Sequence, residues 1–512
     1  MIMTHDTRGL GRIHRHLFIH RTTYRINAGA ALALLLMTGM DCCDCDDDGD
    51  GYSPEEGDCN DADADVHPGA VEVCNREDDN CDGLVDNDAV DADTWFIDQD
   101  GDTYGLSTES IQSCTGVVGY VDRGGDCNDQ DPSIYPWAPE KQNGIDDDCD
   151  GRIDEPGAIA VRGGSYHTLT LMADGTIYAS GQNGYGQLGN GEFDGENVYP
   201  APVKVLNIDD AVAISAGATH SLALLSDGSV WAWGGNAFGQ LGYGTEDSAV
   251  PQRVDDLPVI VDVAAGYYHS LALAADGSVW AWGQNISGQL GDGNPNGSTP
   301  NPTPRKVTGL EDIVLIGAGW RHSLAAGADG TLWAWGSNSR GQLGDGTTTQ
   351  SAVPVQVLGF SDPISLEAGA EHSVAVRSDG SVWSWGDNEY GQLGDGTTLS
   401  STIPVRAIDL HGIREVAAGD DHSMALHIDG RVFAWGQNGS GQLGNGTSSL
   451  NPNPLPDEVL SMDAAASIDG GCWHSVATDT DLLGWGWGFN AYGELGVGTT
   501  EDALVPTQIL LP

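Results

Sequence analysis

The sequence predicts an all-β protein: a seven-bladed β-propeller preceded by an irregular, disulfide-linked region rich in calcium loops. Three observations carry this. A unit of about 51 residues recurs seven times over 157–512, nine of the ten cysteines crowd into 41–156, and that same segment holds 36 acids against four bases. Four short strands per period make a propeller blade. Over all 512 residues, 76 Asp and Glu against 20 Lys and Arg leave a formal charge of −56. No basic footprint exists to neutralise phosphates, which excludes nucleic acid as a partner. The 73 Gly and 22 Pro supply turns, while 15 Trp are too many for a disordered chain.

Residues 1–40 carry one acid, Asp6, and five bases, Arg8, Arg12, Arg15, Arg21 and Arg25, then the 13-residue apolar run Ala28 to Met40. A basic start followed by a run too short to span a bilayer reads as an export signal or lipoprotein-like leader. Leu36 to Cys42 looks like a lipoprotein box in which Met40 and Asp41 separate the small Gly39 from Cys42. The expectation is a secreted or cell-surface protein, with an outer-membrane lipoprotein as its anchored form and no transmembrane span after the leader.

Residues 41–90 and 91–156 form two acidic modules. Asp58-Cys59-Asn60-Asp61 recurs as Asp126-Cys127-Asn128-Asp129, and Asp78 to Gly83 recurs as Asp146 to Gly151, both at an offset of 68. Asp46-x-Asp48-x-Asp50 recurs as Asp98-x-Asp100-x-Asp102 at an offset of 52, which leaves a 16-residue insertion in the second copy. In an exported chain these cysteines read as a disulfide framework. The equal intervals Cys59 to Cys81 and Cys127 to Cys149 predict two bridges, each limiting the unfolded chain by roughly 3 kcal/mol. Cys42, Cys43, Cys45, Cys74 and Cys114 have no assigned partner.

Carboxylates alternating through a glycine turn converge their oxygens, which suits a hard cation taking six to eight oxygen ligands. Calcium is the expected ion, at a Kd on the order of 10⁻⁴ to 10⁻³ M. The candidate ligands are Asp46, Asp48 and Asp50; Asp78, Asn80, Asp82 and Asp86; Asp98, Asp100 and Asp102 with Glu109; Asp146, Asp148, Asp150 and Asp154; and the motif acids Asp58, Asp61, Asp126 and Asp129. Copper is the weaker reading, since it prefers imidazole or sulfur and the segment offers only His67 beside bridged cysteines. The loops resemble the short calcium loops of dockerins and thrombospondin type 3 repeats. The run Gly57 to Asp61, Pro68 to Ala70 and Asp78 to Gly83 also resembles a bacterial metal-binding-motif family whose named relative is a copper-binding surface protein. The second copy departs from it at Pro136-Trp137-Ala138 and Gln142.

Over 157–512 a histidine recurs at 167, 220, 269, 322, 372, 422 and 474, spaced by 53, 49, 53, 50, 50 and 52. After each comes an alternating apolar stretch, a turn and a second stretch, as in His269 to Leu273, Asp276-Gly277 and Val279 to Gly283. Asp-Gly between such runs predicts a hairpin whose turn takes positive φ angles. Gly-Gln-Leu-Gly follows at 186–189, 239–242, 288–291, 341–344, 391–394 and 441–444, becoming Gly-Glu-Leu-Gly at 493–496. These turns lack the Lys and the Ser or Thr of a phosphate loop. The repeated histidines read as hydrogen-bonded structural groups. The paired tryptophans, Trp231/Trp233 through Trp485/Trp487, read as packing between blades. The terminal piece Val505 to Leu510 is expected beside Ala158 to Val161, closing the ring.

These motifs resemble the regulator of chromosome condensation repeat family, over residues 158–512. The resemblance implies a seven-bladed propeller, and one exported member inhibits β-lactamases by binding them. The function expected is a non-enzymatic, monomeric propeller that binds an extracellular protein or glycan, presented on a calcium-stabilised acidic stalk at the bacterial surface. The alternatives are guanine nucleotide exchange, the activity of the family's founding member, and a propeller lyase. No nucleophile with its base is apparent. Partner contacts are expected at Gly191 to Tyr199, Gly293 to Thr303 and Ser449 to Leu460.

Overall fold

The computed structural model describes residues 46, 48–136, 138, 144–147, 149, 157–295 and 299–511. The leader, Cys42, Cys43, Cys45, Asp148, Asp150 and Asp154 lie outside the described residues. Among the described residues there is no helix. The chain divides into two compact units, residues up to Thr94 with Gln112–Gly116, and Trp95–Ile111 with Val117 onward.

In the first unit, disulfides hold what apolar packing cannot. Cys59 bonds Cys81, and Cys74 bonds Cys114, which draws Gln112–Gly116 into this unit. Between the bridges the backbone is a series of turns capped by Asp and Asn side chains. Such caps satisfy amides that no strand pairs.

In the second unit the second module brings Phe96 opposite Val121 and pairs Gly105–Leu106 in parallel with Gly124–Asp126. Cys127 bonds Cys149. Cys81 and Cys149, equivalent in the two modules, both take the left-handed backbone, at φ 58° and 62°.

The rest of the second unit is seven four-stranded antiparallel sheets, each built from strands consecutive in sequence. The first is Ala158–Gly163, His167–Met172, Ile177–Asn183 and Asp194–Lys204; the last is Ala465–Gly470, His474–Asp479, Gly484–Gly488 and Ala503–Gln508. The second strand of each blade is covered on both faces, and all six residues of His269–Ala274 are buried. In the hairpin only Gly277 takes a positive φ, 77°. Asp276 serves differently: its Oδ1 accepts the Ser278 amide at 2.9 Å, so the turn is a longer loop closed by a side-chain cap rather than two residues in mirror-image geometry.

The expected pairing of Val505 to Leu510 with Ala158 to Val161 does not form. Ala503–Gln508 is the outer strand of its own blade, with Trp485 opposite Gln508. The reason is phase. Each unit begins at the inner strand ahead of its histidine, so 158–511 holds seven whole blades and no strand remains to be lent across the seam. Side chains close the seam instead. Ile509 packs with Val161 and Val476, and the Ala158 amide donates to Leu482 O at 2.6 Å.

A ring of hydrogen bonds runs through all seven blades. His167, His220, His269, His322, His372 and His422 each place Nε2 within 2.9–3.0 Å of a serine hydroxyl in the next blade: Ser221, Ser270, Ser323, Ser373, Ser423 and Ser475. His474 completes the circuit on Thr168 at 3.1 Å. Each serine proton goes to a glutamine carbonyl, as from Ser221 to Gln187 O at 2.9 Å. The ring nitrogen is therefore the donor to serine, which sets the tautomer. All seven rings are buried and neutral, and desolvation holds their pKa values at about 3 to 4. The glycine of Ala-Gly-x-x-His is required by contact, because a Cβ at Gly419 would collide with the His422 ring.

The same glutamine carbonyls accept a tryptophan. Trp233 Nε1 donates to Gln187 O at 2.9 Å and Trp335 Nε1 to Gln289 O at 2.8 Å. Trp233, Trp282, Trp335, Trp385, Trp435 and Trp487 are wholly buried, while the first of each pair, such as Trp231 or Trp333, is only partly covered. Gly-Gln-Leu-Gly is thus a socket for the next blade's Ser and Trp. At the seam Ser180 stands at the Trp position and bonds Glu494 O at 3.2 Å.

Candidate functional site

Two arrangements in this chain can bind something: the carboxylate clusters of the acidic modules, and the axis of the propeller with the face around it.

Among the described residues, three sets of carboxylates approach within 4.8 Å: Asp46, Asp48 and Asp50; Asp98, Asp100 and Asp129; and Asp100, Asp102 and Asp126. The last two share Asp100. Each of these loops is built by its own aspartates, which spend one oxygen on a nearby amide. Asp50 Oδ1 accepts the Tyr52 amide at 2.7 Å and Asp102 Oδ1 that of Tyr104 at 2.8 Å. The second oxygens of Asp48, Asp50, Asp58, Asp100, Asp102, Asp126 and Asp129 are buried without a hydrogen-bond partner. Asp100, Asp102 and Asp126 lie above the usual carboxylate range, first through desolvation and then through neighbouring charges. Orphaned anionic oxygens are costly unless a cation faces them. The residues present therefore fit a hard divalent ion.

The other predicted ligands are placed differently. Asp78 gives both oxygens to the amides of Asp82 and Gly83 at 3.1 and 2.8 Å. Asn80 accepts the Asp82 amide at 2.9 Å, and Asp86 accepts those of Asn75 and Arg76. Glu109 is exposed, and Asp61 and Asp146 belong to none of the three sets. His67 stacks on Tyr52 at 5.0 Å between ring centroids.

Inside the propeller the inner strands line an axial chamber of about 530 Å³. Its charged lining does not repeat from blade to blade: it consists of Arg162, Asp262, Glu367, Arg414, Glu415 and Asp469. Burial raises Asp262 to about 6, and it also raises Glu367 and Asp469, which feel each other's charge. The lining includes carboxylates, two guanidiniums and the hydroxyls of Ser215 and Ser365, and neither His nor Cys.

On the face where the Ala-Gly-x-x-His loops emerge, the two variable positions carry different residues in every blade. They are Ser165-Tyr166, Ala218-Thr219, Tyr267-Tyr268, Trp320-Arg321, Ala370-Glu371, Asp420-Asp421 and Cys472-Trp473. Tyr166 meets Trp473, Phe489 and Tyr492 with centroids 5.2–6.4 Å apart, and Tyr267 meets Tyr268 and Trp320 at 4.6 and 5.2 Å. Asp420 and Asp421 are raised to about 6 and about 7, chiefly by burial, and Cys472 donates its thiol proton to Asp420. This aromatic and acidic face was missed by reading repeats, because it occupies the positions that do not repeat. The signal was available as two variable residues at a fixed distance before each histidine. Two of the segments expected to carry partner contacts are drawn into long outer strands, Asp194–Lys204 and Ser449–Glu458. In the third, residues 296–298 lie outside the described ones.

Comparison with known proteins follows from this geometry. A model described as "RCC1-like domain" matches residues 113–467, and one described as "Regulator of chromosome condensation (RCC1) repeat" matches 485–512. The chain belongs to the RCC1-like domain family. A "Putative metal-binding motif" model matches 58–87. This RCC1-like chain is 32% identical to the human "E3 ubiquitin-protein ligase HERC2" over 42% of its own length and 5% of that protein. It is 37% identical to the Arabidopsis thaliana "Ultraviolet-B receptor UVR8" over 37% of its length and 43% of that receptor. The match thus spans less than half of either relative. Among solved structures, Prp20p of Saccharomyces cerevisiae aligns with a TM-score of 0.59 at 25% identity, covering 67% of this chain and 88% of that one. Human WBSCR16 aligns at 0.56 and 26%, covering 64% and 88%. The Prp20p structure is described with binding to Gsp1p and histones.

Proposed function

We propose that this RCC1-like propeller is an exported, non-enzymatic binding protein, tethered through calcium-stabilised acidic modules and presenting its aromatic face to a protein or glycan at the cell surface. The observation that carries the reading is the non-repeating cluster of Tyr166, Tyr267, Tyr268, Trp320 and Trp473 on an otherwise repetitive disc. Half-buried aromatics offer large contact area at small entropic cost, which suits a partner surface or a sugar ring. The disulfides and the oxygen-rich clusters both fit an oxidising, calcium-containing medium. Calcium is favoured over copper because the orphaned atoms are carboxylate oxygens and the cysteines are bridged.

Fractionation tests the location, with the surface fraction expected and the cytosol contradicting it. For the face, the full chain and a Tyr267→Ala/Trp320→Ala/Trp473→Ala variant are compared against a surface-glycan array and surface-protein extract. Binding by the parent, weakened at least tenfold in a variant of equal melting temperature, supports the reading. Equal binding by both places the contact elsewhere. The likeness to Prp20p favours guanine nucleotide exchange as a second reading. Release of labelled nucleotide from a small GTPase, at a rate raised by this chain, would establish it.

A further inference from the structure

In the second module the motif acids Asp126 and Asp129 join the carboxylates of the loop although an insertion separates them in sequence, and the first module repeats parts of that arrangement. In the first module eight positions separate Asp50 from Asp58; in the second, 24 separate Asp102 from Asp126. The inserted residues do not displace the motif. Gly105–Leu106 pairs with Gly124–Asp126, and the Gly105 amide donates to Arg123 O at 2.8 Å, which returns Asp126 to the loop. A Cβ at Gly105 would run into Phe96 and Ile97, and one at Gly124 into the Phe96 ring, so the return path needs both glycines. Asp129 closes the join, its Oδ1 accepting the Gln99 amide at 2.8 Å from the loop itself.

An aromatic pair marks the same docking in each copy. Tyr52 stacks on His67 with rings 5° apart, and Tyr104 stacks on Tyr135 with rings 6° apart. Tyr52 and Tyr104 end the loops, while His67 and Tyr135 stand nine residues after Asp58 and Asp126. The motif acids are the most buried of the set, Asp58 at 7% exposure, Asp126 at 4% and Asp129 at 5%, yet each keeps Oδ2 without a partner. Asp46 and Asp78 each give both oxygens to amides of their own loop, and the loops differ at the third acid: Asp50 keeps Oδ2 buried without a partner, whereas Asp82 has both oxygens engaged by Leu84 N and Asn87 Nδ2.

From this we infer that each module holds one hard divalent cation in a composite site: Asp46, Asp48, Asp50 and Asp58 in the first, and Asp98, Asp100, Asp102, Asp126 and Asp129 in the second. The loop at 78–83 is a self-capped turn and holds no ion. The inference rests on the cation reading above and replaces the first and third loop sites by composite ones, while the fourth loop, at 146–154, lies largely outside the described residues. Four or five carboxylates leave two or more positions of a calcium shell to backbone carbonyls or water.

Equilibrium dialysis of the full chain against labelled calcium, in about 0.15 M salt to screen diffuse attraction, counts the ions. At least two bound ions are expected for the parent, one fewer for Asp126→Asn/Asp129→Asn, and the parent's number for Asp78→Asn/Asp82→Asn. An unchanged transition of the acidic modules in calcium-free buffer, beside an unchanged propeller transition, shows that each variant is folded. Should Asp126→Asn/Asp129→Asn disturb either transition, Asp129→Asn alone is used, with one ion bound at least tenfold more weakly expected. Loss of an ion from Asp78→Asn/Asp82→Asn, or retention of the parent's number by Asp126→Asn/Asp129→Asn, overturns the composite assignment while leaving calcium binding in place. Absence of bound ion in the parent overturns the cation reading itself.

Discussion

The propeller and the acidic modules are both assembled by repetition, and they hold their repeats together by opposite means. In the propeller the blades meet through buried apolar clusters crossed by hydrogen bonds. Trp335 is wholly buried and donates to Gln289 O, and His322 hands its proton to Ser373 with nothing charged nearby left unpaired. In the modules the most buried side chains at the candidate sites are aspartates whose free oxygens face one another. One region closes on itself by complementarity; the other gathers acidic groups that could hold a cation. The difference predicts that perturbations of packing and of ions act on separate parts of the molecule.

The largest effect is expected in the propeller. Trp335→Ala removes a fully buried indole and should cost about 3 to 5 kcal/mol, seen as a fall in the propeller melting transition with calcium binding unchanged. Second is the bridge Cys127–Cys149. Its replacement by two alanines releases a 22-residue separation and should cost about 3 kcal/mol, read in chemical denaturation of the module with the propeller transition held. Ser373→Ala is smaller. It strands His322 Nε2 inside the ring, while the Gln342 carbonyl keeps its bond from Trp385 Nε1, for about 1 to 3 kcal/mol. If Ser373→Ala were silent, the hydrogen-bonded circuit would be ornament rather than joint.

The pH response sharpens the same contrast within the propeller. Seven histidines sit at about 3 to 4 when folded against 6.5 in the unfolded chain. Below 6.5 the unfolded chain takes up to seven protons that the folded one refuses, so these groups lower stability as pH falls. Buried carboxyls work the other way. Asp262 and Asp420 at about 6, Asp421 at about 7 and Glu494 at about 8, with Glu367 and Asp469 also raised, take protons in the folded state first. From pH 8 toward 6.5 they add stability. Below about 4 the unfolded carboxylates protonate too. The histidine loss, which continues until the folded rings protonate at about 3 to 4, is then joined by loss at Asp227, Asp276, Asp329, Asp379 and Asp429, whose folded pKa values are lowered. Thermal melts should therefore peak near pH 6 and fall steeply below 4.

Much of this was legible in the residues, and the misses have physical causes. Seven histidines at a near-constant interval gave the blade count, because a hydrogen bond to the next blade demands one donor per blade. The phase of the repeat was not legible. Val505 to Leu510 looks the same as a lent closing strand or as the outer strand of its own blade, and only the pairing of Trp485 with Gln508 decides between them. The turn at Asp78 to Gly83 has the composition of an ion loop. Its carboxylates cap amides of their own turn, a use that depends on backbone direction, which composition does not encode. The aromatic face escaped notice because it consists of what differs between repeats.

Differential scanning calorimetry of the full chain, with saturating calcium and then with a chelator, tests the division between the two regions most directly. A lower transition belonging to the acidic modules should rise with calcium and collapse on chelation, while the propeller transition stays where it is. A propeller transition that moves with calcium, or a module transition indifferent to it, would contradict the account.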